Sequence, residues 1–122
     1  KCTENYWDFV RHLRNNDRVQ DGFIETAGIS QADQYDYMKK HFGDYFIGLY
    51  NGQPIGYVGC IKRDIRVCVD PDFQNKGFGK IMVSFISDKY PNGFAKIKID
   101  NETSINTFEH CGFKKKFYIL EP

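Results

Sequence analysis

Two apolar runs joined by an Asn-Gly pair constrain the fold of this chain more than any other feature. Residues 45–50 and 54–61 are rich in aromatic and β-branched side chains, and Asn51-Gly52 lies between them. Asn-Gly suits the two left-handed positions of a tight hairpin turn better than other residue pairs. The sequence therefore predicts an antiparallel β-hairpin near the middle of the chain.

Helices are predicted before and after this hairpin. Residues 3–14 carry apolar side chains at helical spacing, and Ser30 followed by Asp33 indicates the start of a second helix that ends at Gly43. The remaining predicted elements are strands at 64–69, 95–99 and 113–120 and helices at 78–89 and 102–111. The order α-α-β-β-β-α-β-α-β predicts an α/β (α+β) fold with a mixed, mostly antiparallel sheet flanked by helices. A chain of 122 residues is expected to form a single domain, residues 1–122.

Composition argues against several classes of function. The 17 basic and 16 acidic residues are well mixed, so we expect no nucleic-acid partner and no anionic membrane surface. The longest apolar run is far shorter than a bilayer span. Four cysteines without C-x-x-C spacing indicate free thiols in a reducing, cytoplasmic compartment. The three histidines have no partner at ligand spacing, so no metal is expected.

A glycine-containing loop connects the strand at 64–69 to the helix that follows. The free amide groups at a helix N-terminus attract anions, and glycine lets a phosphate approach the backbone closely. Gly77 and Gly79 supply that access, and Lys76 and Lys80 add positive charge. The loop therefore indicates a phosphate site, with an ordinary strand-to-helix turn as the equal alternative.

Two familiar phosphate loops do not fit this segment. A nucleoside-triphosphate loop needs Gly at position 74 and Ser or Thr after Gly-Lys, but Gln74 and Ile81 stand there. A dinucleotide fingerprint needs Gly or Ala at position 82, which is Met82.

The spacing Gln74-x-x-Gly77-x-Gly79 after an apolar strand resembles the pyrophosphate loop of the GNAT superfamily, the coenzyme-A-dependent N-acetyltransferases. The run at 101–113 resembles the second motif of that family. In that motif an Asn is followed by a small residue, an aromatic residue and then Gly-Phe. The predicted order of elements is also similar to the family's fold, and the resemblance covers about residues 3–120.

The resemblance implies acetyl-CoA as co-substrate and assigns residues to it. The backbone of Val67 and Val69 would pair with the pantetheine arm, with the Val67 amide also facing the thioester oxygen. Asn101 and Ser104 would line the far side of the coenzyme cleft. The amides expected to hold the pyrophosphate are those of Gln74, Asn75, Lys76, Gly77, Phe78, Gly79 and Lys80.

The acceptor side is less determined. The region at 14–19 and 29–30 resembles subgroups that acetylate amino sugars or protein N-termini, so we expect a small-molecule or amino-sugar primary amine, with protein N-termini as the alternative. Asp64 is the candidate general base, or else a turn residue, and Glu25 is the weaker candidate. A short last strand leaves the acceptor pocket open or completed by a second subunit in a homodimer.

Phe108 departs from the family pattern, because many members carry there the Tyr that protonates the leaving thiolate. Its helical spacing from Ile105 favours core packing. A binding module that keeps the coenzyme site but lacks the chemistry is therefore the second hypothesis.

Overall fold

The computed structural model describes residues 1–16 and 30–122. Short 3₁₀ turns precede the first helix and the first strand. The elements are helices α1 (Trp7–Arg14) and α2 (Gln31–His41), strands β1 (Tyr45–Tyr50), β2 (Gln53–Ile61) and β3 (Asp64–Val69), and helices α3 (Phe78–Lys89) and α4 (Glu102–His110).

The three strands form an antiparallel sheet in the order β1-β2-β3. The predicted hairpin is present, and both turn residues have the positive φ that the Asn-Gly pair indicated, 52° at Asn51 and 77° at Gly52. The predicted N-terminus of α2 is also present, because Ser30 Oγ accepts a hydrogen bond of 3.1 Å from the Asp33 amide.

The sheet separates two apolar clusters. Alternate residues of a strand point to opposite faces, so Tyr57 and Val58 belong to different clusters. The first cluster packs α1 and α2 on one face through Val10, Leu13 and Met38. The second packs α3 and α4 on the other face. The fold class is confirmed, with helices on both faces of a mostly antiparallel sheet.

The two later strands are the exception to the predicted order. Residues 95–99 form no strand because their pairing with β3 ends at a single parallel bridge between Asp64 and Phe94. Residues 113–120 form no strand either, since the segment that would offer them an edge is not itself in the sheet. As a result the apolar side chains from Phe117 to Leu120 are 77–92% exposed.

All four cysteines are free thiols, and Cys2, Cys60 and Cys68 are buried. Of the helices in the described ranges, none combines the length and apolar character needed to cross a membrane.

Candidate active site

The outer edge of β3 carries backbone groups without strand partners. The amide of Asp70 donates to Ile55 O of β2 at 2.7 Å. The N–H and C=O groups of the even-numbered residues of β3 therefore face β2. Peptide groups alternate in direction along a strand, so those of Ile65, Val67 and Val69 face outward. Among the described residues no backbone acceptor pairs with the amide of Val67 or Val69. We call these two residues the open β3 edge.

The open β3 edge begins where residues 94–99 part from the sheet. Ile65 N donates to Phe94 O, and Phe94 N donates to Arg63 O, both at 2.8 Å. Within the described ranges no later backbone hydrogen bond joins residues 95–99 to β3. The strand predicted at 95–99 is therefore replaced by a parting of two parallel segments, which leaves Val67 and Val69 accessible to a ligand backbone.

The glycine loop lies directly beyond the open β3 edge and is tied to it. Gln74 Nε2 donates to Val69 O at 3.3 Å. Asn75 and Gly77 have positive φ values of 62° and 85°, which turn the chain into the first residues of α3. No carbonyl in the described part of the chain accepts from the amides of residues 75–80. Together with the helix dipole, these amides give this end of α3 a partial positive charge, which favours anions.

Gly79 lies where the open β3 edge, α3 and α4 meet. A Cβ atom built at Gly79 would lie 3.6 Å from Thr107 Cγ2 and 3.8 Å from Val69 Cγ2. Gly77 is different, because among the described residues, its two chain neighbours aside, no atom lies within 4 Å of such a Cβ. The loop therefore presents open space at Gly77 and a narrow gap at Gly79, and the binding of the pyrophosphate there stays a prediction.

The helix that carries the second motif begins at an N-cap. Asn101 Oδ1 accepts a hydrogen bond of 3.3 Å from the Ser104 amide, and both residues are half-buried. This contact gives Asn101 a structural role at the start of α4, and the predicted contact of the two residues with the coenzyme stays a prediction.

Lys76 lies with its Nζ 5.6 Å from the Phe73 ring centroid, and Lys80 is exposed.

Residues 7–113 match the acetyltransferase (GNAT) family, which is most of the chain. The chain belongs to this family. The resemblance given by the glycine loop and the second motif is therefore confirmed.

One curated relative is an uncharacterized N-acetyltransferase of Methanocaldococcus jannaschii, 25% identical over 96 residues. The matched region is 65% of this chain and 42% of that relative, so the chain spans less than half the relative's length.

Solved GNAT-type structures share the fold. Spermidine N-acetyltransferase from Vibrio cholerae, in complex with CoA and spermine, has a TM-score of 0.84 at 20% identity and covers 98% of this chain and 82% of its own. Ribosomal-protein-alanine N-acetyltransferase from Brucella melitensis has a TM-score of 0.80 at 16% identity and covers 92% and 81%. At these identities the likeness establishes the fold alone.

Asp64 lies at the opposite end of β3 from the glycine loop of this GNAT chain. Its Oδ2 is 3.7 Å from an Arg66 guanidinium nitrogen. The offset of three residues from Val67 corresponds to about 10 Å along a strand. Asp64 therefore does not meet the predicted oxyanion donor directly, and a role as base would pass through water.

Arg66 joins Asp64 to a pair of tyrosines that the sequence did not single out. Arg66 Nη1 donates to Tyr37 Oη at 2.8 Å, and the hydroxyl groups of Tyr37 and Tyr45 are 2.7 Å apart. Burial, followed by the neighbouring Tyr45, raises the pKa of Tyr37 well above its usual value, so its hydroxyl stays neutral. In the sequence, the one indication of these contacts is the i, i+2 spacing of Asp64, Arg66 and Cys68, which places the three side chains on the same face of β3.

Phe108 is a core residue, as its helical spacing predicted. It is 4% exposed, and its ring meets Phe113 edge-on at a centroid distance of 5.0 Å. Glu25 and positions 17–19 and 29 of the acceptor region lie outside the described residues. Within residues 1–16 and 30–122, no group of three or more His, Cys, Asp or Glu side chains could hold a metal ion.

Proposed function

We propose that this chain binds acetyl-CoA and transfers its acetyl group to a primary amine of a small molecule. The observation that carries the proposal is the open β3 edge, which runs directly into the unpaired amides of residues 75–80. An extended amide-containing arm can pair with a free strand edge as an added strand would. The amides at the start of α3 suit the pyrophosphate at the other end of that arm.

The chain's own groups would act by position and hydrogen bonding. Acetyl-CoA supplies the thioester; the amine nitrogen bonds to its carbonyl carbon, the C–S bond breaks, and the proton lost by nitrogen reaches the departing sulfur. The outward amide of Val67 would donate to the oxygen that gains negative charge, a contact worth about 3 kcal/mol when well aligned. A thiol with a pKa near 8.5 leaves without a protein acid, which agrees with Phe108 in the core.

Asp64 is proposed to take up, through water, the proton that the ammonium form of the substrate loses before attack; the second proton on nitrogen is the one that reaches the sulfur. A lysine-type amine is protonated at neutral pH, with a pKa of about 10.4, so a proton acceptor raises the reactive fraction. The half-buried carboxylate beside Arg66 is a proton acceptor on the face that carries α1 and α2.

A small amine, as against a peptide, is supported by the Vibrio cholerae neighbour, a spermidine N-acetyltransferase whose structure is a complex with CoA and spermine. Thiol release from acetyl-CoA, followed with a panel of polyamines, amino sugars and peptides with free N-termini, tests the proposal. We expect turnover with one of the first two classes. Turnover with peptides alone would give the N-terminal alternative, and tight binding of acetyl-CoA without thiol release would leave a binding module.

A further inference from the structure

The guanidinium of Arg66 is held in place on the face of the sheet that carries α1 and α2. Its Nη1 donates to Tyr37 Oη at 2.8 Å and lies 3.5 Å from Tyr45 Oη. Tyr45 reaches Arg66 across Gly59, which pairs with both of them in the sheet. A Cβ atom built at Gly59 would lie 2.6 Å from Tyr45 Cδ1, so the tyrosine ring occupies the space that a side chain of β2 would fill. Two tyrosine hydroxyls therefore fix the position of one guanidinium.

One edge of this guanidinium remains available to a ligand. The tyrosine hydroxyls engage Nη1, while Nη2 lies 3.7 Å from Asp64 Oδ2, which is too long for a hydrogen bond. No residue in the described part of the chain accepts a hydrogen bond from Nε. Nε and Nη2 lie on the same edge and present parallel N–H groups, which match two oxygens of a carboxylate or a phosphate. The side chain is 41% exposed, so a small ligand can reach that edge.

The charges around Arg66 also favour an anion. Arg14 Cζ lies 6.0 Å from the ring centroid of Tyr37, the tyrosine whose hydroxyl accepts from Arg66. Arg14 is also the first residue of the region that the sequence assigned to the acceptor. Within residues 1–16 and 30–122, Asp64 is the one carboxylate at ion-pair distance from either guanidinium. Because arginine stays protonated, two positive charges lie near one negative charge.

We propose that Arg66 is a specificity-determining residue, which binds a carboxylate or phosphate group of the acceptor. The inference rests on the proposed transfer reaction and names its substrate class as primary amines that also carry an acidic group. Arg66 is the neighbour of Val67 in β3, so the acidic group would be held beside the position proposed for the thioester. A second ammonium group in that place, as in a polyamine, would be repelled by Arg66.

Three amines with the same four-carbon chain test this inference, because they differ only in the group at the far end. In 4-aminobutanoate, n-butylamine and 1,4-diaminobutane that end is anionic, neutral and cationic at pH 7. Calorimetry with coenzyme A present, which has no acetyl group to transfer, measures binding without turnover. We expect 4-aminobutanoate to bind at least about tenfold more tightly than the other two. Glucosamine 6-phosphate compared with glucosamine repeats the test for a phosphate, and the two tests together show which acidic group is preferred.

Variants assign the preference to Arg66. Arg66→Gln should reduce it to about twofold or less, and Arg66→Lys, which keeps the charge without the paired donors, should restore part of it. Lys89→Gln is the matched control, because Lys89 is an exposed cation of α3 on the other face of the sheet, and this variant should keep the full preference. Equal losses in Arg66→Gln and Lys89→Gln would show a general charge effect and refute the assignment.

The comparison of amines in the parent protein decides even if Arg66→Gln fails to fold. Binding of both acidic amines no tighter than that of their neutral counterparts would overturn the inference. The proposed function fails by a different result, which is the absence of thiol release from acetyl-CoA with every amine.

Discussion

Phe108 and Asp64 are the positions at which a proton donor and a proton acceptor were considered for the proposed reaction. Phe108 belongs to the apolar cluster beneath α3 and α4, which leaves its ring no route to water. Asp64 is only half-buried and already interacts with Arg66. The first residue is therefore tested through stability and the second through its pH dependence.

Phe108→Tyr should lower the free energy of unfolding by about 1–2 kcal/mol, because the added hydroxyl would lose its water partners in an apolar cluster. Denaturant unfolding measures the loss. Phe113→Tyr is the control, since Phe113 is only half-buried. A hydroxyl group added there can reach solvent more easily than one added at Phe108. A Phe108→Tyr variant that is fully stable and releases thiol faster would show that the hydroxyl reaches the cleft.

Asp64→Asn should lower the rate of acetyl transfer by about 10²-fold at neutral pH and recover at high pH, where free amine is abundant. Thiol release is measured across that pH range. Asp88→Asn, an exposed change on α3, is the control and should match the parent throughout. A constant ratio between Asp64→Asn and the parent would assign Asp64 to the ion pair with Arg66 alone.

Among the elements, β3 and its two ends carry most of the consequences. Its C-terminal end leads into the glycine loop, while its N-terminal end begins at the Lys62-Arg63 turn. At the glycine loop, a substitution is expected to change the affinity for the ligand. At the Lys62-Arg63 turn, a substitution is expected to change stability through the backbone conformation.

Gly79→Val should reduce acetyl-CoA affinity by at least about tenfold, because the new side chain would fill the gap between Val69 and Thr107. The position needs no positive φ, so folding should be retained, which far-UV circular dichroism checks. Calorimetry measures affinity. Gly43→Ala is the control, as no described residue apart from its chain neighbours lies within 4 Å of the added Cβ. Unchanged affinity in a folded Gly79→Val variant would remove the loop from the coenzyme site.

Replacing Lys62-Arg63 by Asn-Gly should raise the free energy of unfolding by about 1–2 kcal/mol. Both residues have positive φ, 51° and 71°, a conformation that costs residues other than glycine about 1–2 kcal/mol. The first hairpin has the same signs of φ with Asn51-Gly52. The midpoints of denaturant unfolding measure this gain. The reverse exchange, Asn51-Gly52 to Lys-Arg, should lower the free energy of unfolding by a similar amount. No gain at positions 62–63 would mean that contacts of Arg63, such as its 2.9 Å bond to Asn92 O, offset the conformational cost.

For the whole molecule, the buried thiols make stability depend on pH. Burial, with a smaller contribution from Asp70, raises the pKa of Cys68 to about 12 from an ordinary value of 9.0. Above pH 9 the unfolded chain loses this proton while the folded chain keeps it, so the free energy of unfolding falls between about pH 9 and pH 12.

That fall should be about 1.4 kcal/mol per pH unit for Cys68. Unfolding measured in denaturant at several pH values should show a shallower decline for Cys68→Ala than for the parent. Cys111→Ala, at a less buried thiol, is the control. Identical slopes in the parent and Cys68→Ala would mean that the Cys68 thiol ionises normally in the folded protein.

Local signals predicted most of the fold. The Asn51-Gly52 turn, the Ser30 cap and the helical spacing of Phe108 all depend on residues close in sequence, and the structure contains each of them. The strands at 95–99 and 113–120 were predicted from the local sequence, without an identified pairing partner. Whether such a segment joins a sheet depends on a partner elsewhere, which a single sequence does not display.

The candidate active site, like the fold, was predictable where it depends on residues close in sequence. The glycine spacing identified the loop, because its geometry is local. The contacts of Arg66 with Tyr37 and Tyr45 join residues 21–29 positions apart, so they became visible only in three dimensions. The same is true of the side-chain amide of Gln34, whose Nε2 donates to Trp7 O across 27 positions.

An unpaired sheet edge is also a template on which another chain can add a strand. Val67 and Val69 present such an edge, and the apolar side chains from Phe117 to Leu120 are exposed as well, so we expect molecules without ligand to be prone to association. A pantetheine arm lying on β3 would occupy the same hydrogen-bonding groups. Cofactor supply would then govern the solubility of this protein as well as its turnover, and purification with coenzyme A present should yield the less aggregated preparation.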